Sequence, residues 1–120
     1  MDKIRRIGPS RYSATRSRVV VHNGVATTVA TANEKSKSVY AQACDALANI
    51  DVHLQEAGTD KSHVLFVQIY LADIDDKGEF NKAWDEWVDP DALPLRACVG
   101  VALEPADLVE LVVTAAVPGD

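Results

Sequence analysis

The stretch Val19-Val20-Val21-His22-Asn23-Gly24-Val25-Ala26-Thr27-Thr28-Val29 decides the fold. Asn-Gly separates two runs rich in β-branched residues, and both turn residues take positive φ at little cost, which a type I′ hairpin requires. Strands are therefore predicted at 17–22 and 25–31. An isolated hairpin is marginal in water, so further elements must cover it.

Downstream, residues 36–57 have helical period. Val39, Ala43, Leu47, Ile50, Leu54 and Ala57 fall on one face, which predicts a helix lying on a sheet. Asn33 or Ser36 is suited to cap its start and Gly58 to end it in a left-handed turn. From 64 to 72 the period becomes two, with Leu65, Val67, Ile69 and Leu71 on one side and Val64, Phe66, Gln68 and Tyr70 on the other. Both sides are largely apolar, as in a central strand. A second helix is predicted at 77–88, with Phe80, Trp84 and Trp87 on one face, ended by Asp89-Pro90-Asp91. Strands are expected at 95–103 and 108–117. The order β-β-α-β-α-β-β implies one α+β domain over residues 1–120, a two-layer sandwich. Its helices cover one sheet face only. The other face is expected to be exposed and apolar, and a symmetric oligomer is the usual remedy.

Hydrophobic residues make up 48% of the 120, and charged residues 25%, an ordinary globular composition. Eighteen acidic against twelve basic residues give a net charge of -6, which argues against a general nucleic-acid binder. Charge is uneven: Lys3, Arg5, Arg6, Arg11, Arg16 and Arg18 face only Asp2 within residues 1–18. Such an arm reads either as a nucleic-acid contact or as a charged edge strand that resists edge-to-edge pairing. No apolar run spans a bilayer, and Met1-Asp2-Lys3-Ile4-Arg5-Arg6 lacks the core of a signal peptide. Cys44 and Cys98 suit free thiols in a reducing cytoplasm.

Several chemical patterns fail on inspection. Asp73-x-Asp75-x-Lys77-Gly78 begins like a calcium loop, but Lys77 and Trp84 stand where ligands belong. No metal site follows from the spacing of His22, His53 and His63, nor a redox pair from the two cysteines. No glycine-rich phosphate loop is present. Cys98 is either a nucleophile or a small buried hydrophobe.

Arg96, in a strand of apolar and small residues, and Glu110, within the longest apolar run, are harder to assign to packing. Guanidinium grips a carboxylate through two parallel hydrogen bonds, and a glutamate in a partly dry cleft orients water or moves a proton. The alternative is an Arg96–Glu110 structural ion pair. If the last two strands formed a hairpin, the two residues would stand roughly 16 Å apart at the usual strand rise. Either those strands are not partners, or the two groups meet across a subunit boundary.

Pro94-Leu95-Arg96-Ala97-Cys98-Val99-Gly100-Val101-Ala102-Leu103, followed by Val109-Glu110-Leu111, resembles the C-terminal signature of the RidA (YjgF) family. Tyr12-Ser13, the helix ending Glu56-Ala57-Gly58, and Phe80-Asn81-Lys82-Ala83-Trp84 follow in matching order, so that the resemblance covers about residues 8–117. Arg11-Tyr12-Ser13 and Asn81-Lys82-Ala83-Trp84-Asp85-Glu86-Trp87 look closer to a shorter, YoaB-like branch. The resemblance implies a chorismate-mutase-like fold in a homotrimer with clefts between subunits. It also implies hydrolysis of reactive enamines and imines, of the 2-aminoacrylate and 2-iminopropionate type, to 2-keto acids and ammonia. Carried over by position, Arg96 clamps the substrate carboxylate and Glu110 positions water or relays a proton. Tyr12 and Asn81 line the cleft, and the backbone near Cys98 helps hold water, with no metal and no cofactor required. Two departures stand out. Val29-Ala30-Thr31-Ala32-Asn33 replaces a glycine-rich turn with proline beside the cleft, and Val112 stands where a second glutamate is common. The rival readings are a non-catalytic trimer that binds small carboxylates, and a ribonuclease or translation-inhibitor role.

Overall fold

The computed structural model describes residues 3–120. In chain order its elements are β1 (Ile4–Ile7), β2 (Val19–His22), β3 (Val25–Thr31), α1 (Val39–Ala57), β4 (Val64–Leu71), α2 (Lys77–Trp87), β5 (Leu95–Gly100) and β6 (Val109–Ala116), with short 3₁₀ turns before β4 and α2. The hairpin forms as its sequence dictates. His22 stands opposite Val25, and Asn23 (φ 51°) and Gly24 (φ 74°) both occupy the left-handed region of the turn.

The six strands lie in the order β1-β2-β3-β6-β4-β5. All neighbours are antiparallel except β4 and β5, which run parallel. The last two strands are therefore not hairpin partners, because β4 is inserted between them. α1 and α2 cover one face. The predicted apolar stripe of α1 is buried throughout, as are Phe80, Trp84 and Trp87 of α2. All but Ala57, which packs with Val19, Val21, Ala26 and Val117, lie against Val67, Ile69 and Leu71 of β4 and the alternate residues Val109, Leu111, Val113 and Ala115 of β6. The opposite face carries Val25, Val29, Phe66, Tyr70, Val112, Ala97 and Val99, and no element among the described residues covers it. The α+β two-layer architecture read from the periodicities is the architecture observed. No helix among the described residues is long and apolar enough to cross a membrane.

Four local readings need correction or addition. The basic arm contributes an extra edge strand, β1, paired to β2. Arg5 hydrogen-bonds the Ala57 carbonyl and pairs with Asp120, each at 3.0 Å; Met1 and Asp2 of the arm lie outside the described residues. α1 starts later than expected, with Ser38 rather than Asn33 or Ser36 as its cap, its side chain accepting from the Ala41 N–H. Gly58 (φ 87°) ends it as predicted. In β4 a bulge between Val64 and Phe66 shifts the alternation, so Val64 is buried and Leu65 exposed, the reverse of a regular strand. β5 stops at Gly100 instead of 103, because its partner β4 ends at Leu71, opposite Gly100. Gly100 also backs onto Ile74, where an added Cβ would meet Ile74 Cβ at 3.0 Å.

Two buried polar links fix the layers in register. Gln42, wholly buried, donates to the Ser36 and Ala106 carbonyls (2.6 and 3.0 Å) and accepts from the Leu108 N–H (3.0 Å). It ties α1 to the segment leading into β6. Thr28 donates to the Arg18 carbonyl (2.7 Å) and stands 2.8 Å from His53 Nδ1. Thr28 has one proton, so Nδ1 is the donor in that contact. Burial is the main cause that lowers the His53 pKa below its ordinary 6.5, opposed by Glu56 and reinforced by Arg18. The unfolded chain therefore takes up this proton first as the pH falls. The stability His53 contributes by staying neutral is complete above about pH 6.5 and is lost as the pH drops toward the folded value. We expect urea midpoints to decline from pH 7 to pH 5 more steeply in the wild type than in His53→Gln.

Candidate active site

The period-two geometry of the sheet sorts the predicted site residues into two groups. Arg96 stands in register with Val67 and, through it, with Val113, on the face covered by the helices. Cys98 shares that face, in the row of Ile69 and Leu111. Glu110 lies in another row, between Thr31 of β3 and Tyr70 of β4, with Val99 beyond. That row faces the open side. Within one chain Arg96 and Glu110 thus point away from each other, about 14 Å apart in the plane of the sheet at the usual strand rise and spacing. They form no ion pair here, and the structural-bridge alternative fails for the single chain.

Arg96 is seated by α2. Asn81 Oδ1 accepts from its Nη2 at 2.6 Å, and its guanidinium carbon lies 5.0 Å from the Trp84 ring centre and 5.7 Å from that of Phe80. The i, i+3/i+4 spacing on α2 brings Phe80, Asn81 and Trp84 to one side of the helix. An aromatic face attracts a cation by about 0.5–2 kcal/mol. Among the described residues no carboxylate pairs with this guanidinium, so the side chain is oriented while its charge stays uncompensated. Cys98 is half-buried behind Arg96. Burial pushes its thiol pKa up, and Arg96 and Lys77 oppose this less strongly, so the thiolate that a nucleophile needs is disfavoured. Of the two readings of Cys98, the small hydrophobe packed against the core fits.

Glu110 and Tyr12 share a cleft of about 1170 Å³, lined also by Val29, Ala30, Thr31 and Lys35. The Tyr12 hydroxyl reaches the Ala32 carbonyl (3.2 Å) and Asn33 Oδ1 (3.1 Å). Arg11 and Lys35 approach its ring at 5.5 and 5.4 Å. Val29, Ala30 and Thr31 therefore border the cleft directly, and Ala32 and Asn33 meet it through the Tyr12 hydroxyl. The loop holding Tyr12 is fastened by Arg18, which pairs with Glu56 at 2.6 Å and donates to the Pro9 carbonyl at 2.7 Å. The Glu56 hydrogen bond holds the Arg18 pKa up, and Arg18 in turn holds the Glu56 carboxyl below its usual range.

Sequence reasoning did not single out Lys35, whose Nζ contacts Asp107 Oδ1 and the Ala32 carbonyl, each at 2.6 Å, or Trp84 as part of the arginine seat. The spacing Phe80-Asn81-x-x-Trp84 was visible, but it reads as core packing until β5 is known to lie beside α2. Calcium is not served by the acidic run after β4: Asp73 accepts from the Asp75 N–H (2.9 Å) and starts the turn into α2.

A family model described as Endoribonuclease L-PSP matches residues 6–117. A RutC family protein from Haemophilus influenzae is 40% identical over 115 residues, which cover 93% of this chain and 97% of that protein. RutC family protein YoaB of Escherichia coli is 36% identical over 102 residues, 84% of this chain and 90% of its own. The crystal structure of a YjgF-family protein from Neisseria meningitidis matches with a TM-score of 0.89 at 36% identity, over 98% of both chains. These findings bear out the resemblance and the fold drawn from the sequence.

The raised Cys98 pKa has a direct consequence. In a Cys44→Ala variant, Cys98 should be alkylated by iodoacetamide at pH 7.5 several-fold more slowly than free cysteine, with the rate still climbing above pH 9. Alkylation as fast as free cysteine would mark Cys98 as an activated thiol.

Proposed function

This chain belongs to the Endoribonuclease L-PSP family, the group of YjgF and RutC proteins, and from that premise we propose that it hydrolyses small reactive imines and enamines to 2-keto acids and ammonia. The observation that carries the reading is the Arg96 seat. A guanidinium held by a neutral amide oxygen and two aromatic rings, with no carboxylate partner among the described residues, is prepared for a substrate carboxylate. Glu110, on a largely apolar face and in a cleft with Tyr12, is suited to accept a proton from water. An imine carbon is already electrophilic, so positioning and proton transfer suffice for attack.

The substrate class is the 2-imino acid of 2-iminopropionate size, together with its enamine tautomer. Arg96 binds the carboxylate, Asn81 orients Arg96, and the backbone at Cys98 holds water. Glu110 activates the attacking water and Tyr12 closes the cleft. Because Arg96 and Glu110 lie on opposite faces of one sheet, the complete site takes Arg96 from one subunit and Glu110 from its neighbour. The uncovered apolar face supports the same assembly, a homotrimer with clefts at its boundaries. The two free thiols suit a cytoplasmic setting.

The same guanidinium seat would serve a protein that only binds small carboxylates. Tight binding of pyruvate or 2-ketobutyrate without faster imine decay would favour that function. A ribonuclease role has weaker support. Arg5 and Arg18 of the basic arm are engaged with Asp120 and Glu56, and the chain is acidic overall.

Two variants test the proposal, with imine generated enzymatically and keto-acid release followed in parallel. Arg96→Ala should reduce turnover at least about a hundredfold, the scale for removing a charged, hydrogen-bonded anchor. Glu110→Gln should fold with an unchanged melting temperature yet turn over about a hundredfold more slowly, as expected for a lost general base. Full activity of Arg96→Ala would refute the assignment.

A further inference from the structure

We propose that the Tyr70 hydroxyl is a further catalytic group, holding the attacking water jointly with Glu110. This rests on the imine-hydrolysis reading above. The β4–β6 register places Tyr70 directly opposite Glu110. Side chains opposed in this way have Cβ atoms about 4.5–5.5 Å apart and project from the same face. Both residues line a second cavity, of about 590 Å³, with Val101, Ala102, Leu103 and Glu104. Within the described residues neither head group is hydrogen-bonded, and neither is a sealed, buried orphan.

The neighbouring polar side chains Thr31 and Gln68 do not line this cavity. Thr31, on the other side of Glu110, accepts from Lys35 Nζ at 3.3 Å. Gln68, two residues before Tyr70, donates to the Ala97 carbonyl at 3.2 Å. Among the described residues that line this cavity, the phenol is the one side-chain hydroxyl. Packing does not account for it, since phenylalanine would fill the same apolar face. A water held in a cavity needs two to four polar partners, and Glu110 with Tyr70 supplies two from adjacent strands. As the water oxygen bonds to the imine carbon, the C=N π pair moves to nitrogen. Glu110 takes a water proton and passes it to that nitrogen. The carbinolamine hydroxyl proton then travels to the amino group by the same carboxylate as the C–N bond breaks and ammonia leaves. Tyr70 contributes hydrogen bonds to the water and the carbinolamine oxygen, and exchanges no proton.

The test is a double-mutant cycle on the full-length protein, with turnover of 2-iminopropionate as the readout. Tyr70→Phe should lower kcat about tenfold, the scale of one hydrogen bond to a reacting group, with KM and melting temperature unchanged. Tyr70→Phe combined with Glu110→Gln should be no slower than Glu110→Gln alone, because both changes release the same water. Wild-type turnover by Tyr70→Phe, or losses that multiply in the double variant, would overturn the role of Tyr70 and leave imine hydrolysis standing. A wild type that does not accelerate imine decay would overturn imine hydrolysis and this role with it.

Discussion

The antiparallel pairing of β6 with β4 is the constraint on which the rest depends. It places the C-terminal strand in the interior of the sheet, between β3 and β4, and displaces β5 to the far edge. The alternate residues of β6 complete the core under α1, while the intervening ones, Glu110 among them, are carried to the open face. Because side chains alternate strictly along a strand, a slip of one residue would exchange these sets and bury Glu110 beneath the helices. Gln42 protects the register from outside the sheet, with three hydrogen bonds joining α1 to residues 106 and 108 and to its own lead-in.

The same pairing explains why two charged groups survive in apolar strands. Arg96 is on an edge strand, where α2 supplies aromatic faces and an amide oxygen in place of a counter-ion. A buried carboxylate partner would have quenched it, since removal from water makes an ion pair hard to break once formed. Glu110 lies mid-sheet on a face that no described element covers. Each group is tolerable alone because each keeps partial access to solvent.

The elements were legible where local chemistry is decisive. Asn23-Gly24 admits little except a tight hairpin, and the stripe from Val39 to Ala57 admits little except a helix on a sheet. Strand neighbours were not legible, because nothing in residues 95–117 states that β4 will insert between two sequence-adjacent strands. The bulge that exposes Leu65 was equally hidden, since Val64 and Leu65 are both apolar. Among site residues, Arg96 and Glu110 stood out as charges in hydrophobic runs. Asn81 and Tyr12 emerged only through resemblance, since an amide on a helix and a tyrosine in a loop carry no signal of their own. Tyr70 was hidden for a different reason, as an aromatic residue in a strand is ordinary until its cross-strand neighbour is known.

The two margins of the sheet are built differently. On one side β1 carries Arg5 and Arg6 and is held down through Asp120 and the Ala57 carbonyl. On the other, β5 bonds to a neighbour along one side only, with Leu95 74% exposed and Leu93 beside it 73% exposed. Charge discourages strand addition at the first margin, whereas the one charge of β5, Arg96, is held against Asn81 and Trp84 of α2. Any lateral growth of this sheet, in crowding or during recovery from denaturant, therefore has a polarity: it starts from the C-terminal half of the chain, and the β1 margin remains a dead end.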